Sequence, residues 1–415
     1  MSVAAAQPVL ARAPRGDDAV VVAIVAFAHA VSHFFPLVLP PLFPWLRAEF
    51  ALSYAELGVV MSVLFTVSGA GQAAAGFVVD RYGALPTLLG GLAALAAGAL
   101  LAASAHDYAT LLAGAALIGC GNAVFHPVDF WLLNHRVSVA RLGHAFAVHG
   151  VSGSLGWAAA PLVLVALATP WGWRFALALS AVLPLLAMGL GWALRARLGA
   201  PQAAMDAAGA ASGAPGTVTV SALGFLRLPA VWLSFGFFAC IAAALGGVQS
   251  FSPLVFTAGY GVGVALAAAS VSIYMLGSAC GMLAGGFVLA RSRALERNIA
   301  LALLLAVACA VLVGSARLPA PLALALMALM GFGAGLAGPS RDMLIRAAAP
   351  PGATGRVYGV VYSGLDVGVA LGPLLLGILL DRGVVAGIYH VIGLWTFAGL
   401  VLAWRVAAIT RGRPA

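Results

Sequence analysis

The sequence predicts an all-α membrane protein with twelve transmembrane helices in two six-helix bundles related by pseudo-symmetry. Three observations predict it. First, hydrophobic residues make up 63% of the 415 residues and charged residues only 8%, more apolar surface than a soluble domain can bury. Second, the apolar residues come in continuous runs, whereas a membrane barrel would alternate apolar and polar positions. At ~20 residues per span with short loops, the chain has room for about twelve spans. Third, the chain repeats itself at half-length. Gly119, Gly121, Pro127, Gly143, Gly156 and Pro161 recur 212 residues on as Gly331, Gly333, Pro339, Gly355, Gly368 and Pro373. Ser68, Gly71, Gly76 and Arg81 recur 210 residues on as Ser278, Gly281, Gly286 and Arg291. A unit duplicated in the same order is the pattern of transporters that hold their site between two halves.

The elements follow in order. Residues 1–18 are a polar lead. The first bundle covers 19–194, with spans at 19–45, 54–79, 85–104, 108–135, 142–168 and 175–194. Span 1 carries His29 and His33, four residues apart and so on one helix face, and Pro36, Pro40, Pro41 and Pro44 loosen its second end. Thr169 to Arg174 (TPWGWR) make a turn with interfacial tryptophans. Residues 195–222 form an Ala/Gly/Ser-rich linker. The second bundle covers 223–408, with spans at 226–256, 264–290, 299–316, 321–347, 357–380 and 387–408, and 409–415 is a short basic tail.

All 21 basic residues are arginine. Arg47, Arg174, Arg317 and Arg382 fall at outer positions and Arg341 at membrane depth, and the other sixteen fall on the opposite side. This bias expects both termini in the cytoplasm of a multi-pass protein in a bacterial inner membrane. The net charge of +9 is therefore a topology signal and not a mark of nucleic-acid binding. Cys120, Cys240, Cys280 and Cys309 lie singly in apolar spans and suggest neither disulfides nor a metal set. No short metal-ligand spacing, nucleophile triad or phosphate-binding Gly-Lys-Ser/Thr loop occurs, so no metal, cofactor or enzymatic activity is expected and ATP is not the energy source.

Protonatable groups at membrane depth mark a pathway by default, because lipid penalises them. In span 4, GCGNAVFHPVD puts His126 and Asp129 one turn apart, the strongest such pair in the sequence. His33 and His149 fall near the middle of spans 1 and 5. Asp366 stands ~16 Å into span 11, on a small-residue stripe of Gly364, Gly368, Gly372 and Pro373 that suits close helix packing. A carboxyl in apolar surroundings suits a proton carrier; a static pair with Arg341 is the alternative. Arg341 and Asp342, near the end of span 10, are candidates for an anionic substrate group or for a structural ion pair.

GFVVDRYG, residues 76–83, resembles the G-x-x-x-D-R-x-G loop between spans 2 and 3 of the major facilitator superfamily, through Gly76, Asp80, Arg81 and Gly83. Ala84 and Leu85 stand where that family usually has basic residues, and the second copy has Ala290 in place of the Asp. The resemblance implies the major facilitator fold and a cytoplasmic gating latch in which Asp80 takes part. VFHP (124–127), RLGHAF (141–146), GSLG (153–156) and EFALSYAELG (49–58) resemble the fosmidomycin-resistance branch of that family. This implies antibiotic efflux in exchange for protons, with Asp129 a displaced counterpart of the acid that follows the branch's His-Pro. The expected partners are a small-molecule substrate, protons and the bilayer, with the chain acting as a monomer. Import of an organic anion with protons, and a membrane sensor without flux, are the alternatives.

Overall fold

The computed structural model describes residues 15–198, 227–292, 294–348, 354–385 and 387–410. Most of the expected 195–222 linker, the 1–18 lead and the 409–415 tail therefore lie outside the described residues, apart from a single turn at Arg195–Leu198 and the ends of spans 1 and 12. Among the described residues every regular element is helical, and twelve helices are long and apolar enough to cross a membrane. Helices suit this setting because each satisfies its own backbone groups where lipid offers no partner.

Three spans are broken, each with a local reason. Span 1 runs Arg15–Phe34, tightens into 3-10 turns at Phe35–Leu37 and Pro40–Leu42, and resumes at Phe43–Phe50. Pro36, Pro40 and Pro41 remove the amides a continuous helix needs there, and the side chains of these turns are buried. Span 4 is split into Tyr108–Asn122 and Phe125–Arg136. Pro127 has no N–H to give the Ala123 carbonyl, which fits a break at that point. Span 6 breaks at Ala181 between Trp173–Ser180 and Val182–Ala193. At the start of span 4, Asp107 accepts the Thr110 amide at 2.7 Å. That hydrogen bond holds the Asp107 carboxyl below the usual carboxylate range.

Two pairs of the duplicated glycines occupy matching places. A side chain on Gly119 would meet the Leu64 carbonyl at 2.3 Å, and one on Gly331 the Tyr274 carbonyl at 2.1 Å. Likewise Gly156 lies against the Ala30 carbonyl and Gly368 against the Ala239 carbonyl. Both bundles thus close the same helix pairs, span 4 on span 2 and span 10 on span 8, span 5 on span 1 and span 11 on span 7, by the same backbone-to-backbone approach. The halves meet through spans 2 and 11 and through spans 5 and 8.

The span 2–span 11 seam is unequal along its length. Arg15 and Thr410 end on one face of the molecule, here the near face; Phe43–Phe50 lies on the far face. Toward the far face Gly58 lies against the Leu374 backbone, Ser62 donates to the Ala370 carbonyl, and Tyr54 and Ala55 donate to Asp381. Phe251 of span 7 closes the same end between Phe43 and Tyr54, with ring centroids 5.9 and 6.4 Å away. Toward the near face the helices part after Gly69: Gln72 and Tyr362 line a cavity, a side chain on Gly76 would meet nothing, and Phe77 is 78% exposed.

Candidate functional site

A cavity of ≈ 450 Å³ lies between the halves where the seam opens. His33, Gln72, Asn122 and His126 face it from the first bundle, Gln249 and Asp366 from the second. Phe65, Phe130, Trp157 and Tyr362 supply aromatic walls. A few polar groups set in an apolar, aromatic lining is the usual make-up of a small-molecule pocket.

Asp366 stands where span 11 crosses span 2. A side chain on Gly69 would come within 2.7 Å of the Asp366 Cβ and Cγ, so glycine at 69 leaves room for the carboxyl. Among the described residues no ion pair joins Asp366 to Arg341. The Arg341 guanidinium lies 4.9 Å from the Phe238 ring centroid, and its side chain borders a crevice with Ser234, Phe237 and Leu344 instead of lining the central cavity. The side chains of Asp342 and Asp80 lie outside the described residues. Gly364, Gly368 and Gly372 face the carbonyls of Phe235, Ala239 and Ala243, one turn after another along span 7. Pro373 follows at the contact with Gly58 and Gly246. Gly83, with φ of 87°, is the one-residue joint between Tyr54–Tyr82 and Ala84–Ala103. The Arg81 guanidinium there lies 5.5 Å from the Tyr82 ring centroid.

Behind the cavity wall the first bundle holds a cluster of four imidazoles and one carboxylate. Asp129 is 0% exposed. Its Oδ2 lies 2.9 Å from His29 Nδ1 and 3.1 Å from His149 Nε2. With the carboxylate ionised both rings donate, which leaves the lone pairs on His29 Nε2 and His149 Nδ1. The two rings stack at 3.5 Å between centroids with 21° between planes. His33 lies 4.2 Å from His29 and 4.2 Å from Trp157, and His126 lies 5.3 Å from His29 and 5.7 Å from His33, centroid to centroid. Gly153 makes room: a side chain there would stand 2.8 Å from His33 Nδ1 and 2.9 Å from His29 Nε2. His33 and His126 line the cavity, while His29, Asp129 and His149 form the layer behind them.

Two features of this cluster were not visible in the sequence pattern. Asp129 is hydrogen-bonded by His29 and His149, from spans 1 and 5, and not by His126 on its own helix. The reason is rotational: the break at 123–124 leaves His126 facing the cavity while Asp129, a turn later, faces spans 1 and 5. In the sequence His29 is marked only by its four-residue spacing from His33. The three nitrogens of His29, His126 and His149 that approach one another come from three spans, so no short ligand spacing announces them.

The sequence model described as Major Facilitator Superfamily matches residues 22–361. The chain is similar to YfnC of Bacillus subtilis (strain 168), described as an uncharacterized MFS-type transporter: 30% identical over 149 residues, 36% of this chain and 36% of that protein. It is also similar to the fosmidomycin resistance protein of Escherichia coli (strain K12), 26% identical over 148 residues, again 36% of each. The chain thus matches about a third of the length of these curated relatives. Among solved structures, a D-xylose-proton symporter superposes with a TM-score of 0.75 at 12% identity, over 95% of this chain and 99% of that one. A bacterial homolog of the human lysosomal transporter Spinster, inward-facing and occupied, superposes with a TM-score of 0.72 at 14% identity, over 96% and 97%. At these identities the likeness to the solved structures is one of fold.

Proposed function

Because the chain belongs to the Major Facilitator Superfamily, a family of secondary transporters, we propose that it exports a small polar or drug-like molecule in exchange for protons by alternating access. The observation that carries this reading is the cavity between the halves: Asp366 faces it from one bundle, His33 and His126 from the other, and the seam beside it is shut toward one face and parted toward the other. The substrate lies against the imidazole wall and the aromatic rings. Asp366 carries the exchanged proton, since it sits at the seam without an ion-pair partner among the described residues. The arginine bias supports a cytoplasmic setting for the near face, both termini and the Gly76–Asp80–Arg81–Gly83 joint. Asp80 then belongs to a cytoplasmic gating latch, in a joint where the space beside Gly76 is open. The chain acts as a monomer, because the pathway runs between its own halves.

The export reading draws on the partial likeness to a fosmidomycin resistance protein; the fold is equally that of a symporter. Proteoliposomes with an imposed pH gradient decide between them. Export by exchange requires that a gradient acid on one side drive the substrate toward that side. Movement of substrate along with protons would replace export with import.

A further inference from the structure

We propose that His29, His126 and His149, backed by Asp129, form a binding site for a divalent transition-metal ion of the zinc, cobalt or nickel kind. This deepens the reading of the same cavity wall, but its test is binding to the purified chain and does not depend on transport direction or on proton coupling. One ring nitrogen from each of the three histidines lies within 4.8 Å of the other two. A tetrahedral ion with bonds of 2.0–2.1 Å needs its ligand nitrogens roughly 3.4 Å apart. Reaching that spacing requires the stacked His29 and His149 rings to splay so that their in-plane lone pairs converge, and His126 to draw in from the open cavity, directly after the break in span 4.

The surroundings fit a dication better than a purely structural cluster. The His29 and His149 rings stack at 3.5 Å between centroids, and neutral imidazole is the form that ligates metals. Asp129 accepts from two of the three histidines, the carboxylate–histidine arrangement that orients ligand rings and raises their basicity. It also sets a carboxyl group beside the site, where no ion pair with arginine forms among the described residues. Its second oxygen, Oδ1, is buried with no hydrogen-bond partner among the described residues, an expensive omission unless a further group completes the site. Three imidazole nitrogens select late first-row ions over calcium and magnesium, which require oxygen cages. The fourth position opens to the cavity past His126.

The test uses the full chain purified in detergent without a polyhistidine tag, stripped with chelator and titrated with Co²⁺ and then Zn²⁺. One equivalent of Co²⁺ should bind saturably, give the visible absorption of a tetrahedral nitrogen site, and be displaced by Zn²⁺. His126→Gln should weaken binding at least tenfold, and Asp129→Asn by roughly tenfold or more. His106→Gln, in the exposed turn before span 4, should leave it unchanged. X-ray absorption of the zinc-loaded wild-type chain should show imidazole nitrogens in the inner shell, a readout that needs no variant to fold. Absence of saturable binding, an inner shell of sulfur or of oxygen alone, or stoichiometric binding that survives both His126→Gln and His149→Gln would overturn the proposal.

Discussion

The carboxylate of Asp381, at the end of span 11, accepts the backbone amides of Tyr54 and Ala55, at the start of span 2, at 2.7 and 2.9 Å. These are the first two free amides of a 29-residue helix in the other bundle; Ser53 takes the third, on Glu56, in a capping box. The helix start is therefore completed only while the two halves touch at the far face.

From this relationship follows a conformational prediction. Asp381→Ala should remove about 1 kcal/mol from the closed seam, a typical value for a lost cap, and shift the balance toward far-face-open molecules about fivefold. Spin labels on the far ends of spans 2 and 11, read as a distance distribution, would report the change. An unaltered distribution would assign the seam's strength to its backbone contacts alone.

Asp366→Asn should separate exchange from accumulation. Counterflow of substrate between equal pools should persist, while a pH gradient should no longer drive uphill movement. Both are measured in the same proteoliposomes. Gradient-driven transport at the wild-type level in this variant would remove Asp366 from the coupling scheme.

Removing the buried acceptor of the imidazole cluster should be felt in stability. Asp129→Ala leaves two buried ring donors without their shared partner and should destabilise the first bundle by about 2–4 kcal/mol. Asp129→Asn, which keeps an acceptor, should lose less. Thermal unfolding of the purified chains compares them.

The paired glycines make a symmetric prediction. A methyl group on Gly156 would stand 2.1 Å from the Ala30 carbonyl, and one on Gly368 2.3 Å from that of Ala239. Gly156→Ala and Gly368→Ala should each destabilise by about 1–3 kcal/mol through forced separation of packed backbones. Gly76→Ala, facing open space, should be near neutral or slightly stabilising. Melting temperatures measured side by side would check all three.

Much of the architecture was legible in the chain itself. Lipid leaves helices as the only way to satisfy continuous apolar segments, so composition and run length predict the spans. The register of 212 residues pairs Gly119 with Gly331 and Gly156 with Gly368, which the structure sets against equivalent carbonyls. The site was legible only in part. Helical spacing pairs His126 with Asp129, yet the contact that forms joins residues 29, 129 and 149, because the rotation of three helices about their own axes is set by packing and not by spacing along any one of them. Arg341 illustrates the same limit. Its depth was readable, but its direction, toward the Phe238 ring and away from the central cavity, depends on how span 10 sits against span 7. The capping of Tyr54 by Asp381, 327 positions apart in the chain, left no local mark at all.

The far-face seam has a pharmacological consequence. At Gly58, Ser62, Ala370 and Leu374 it is main chain, glycine and one serine hydroxyl, and Asp381, Phe43, Tyr54 and Phe251 shut the end beyond them, so a blocking compound arriving from that side meets a closed surface. Such a blocker would have to wait for the seam to part, and its onset would follow the opening rate of the protein and not its own dose.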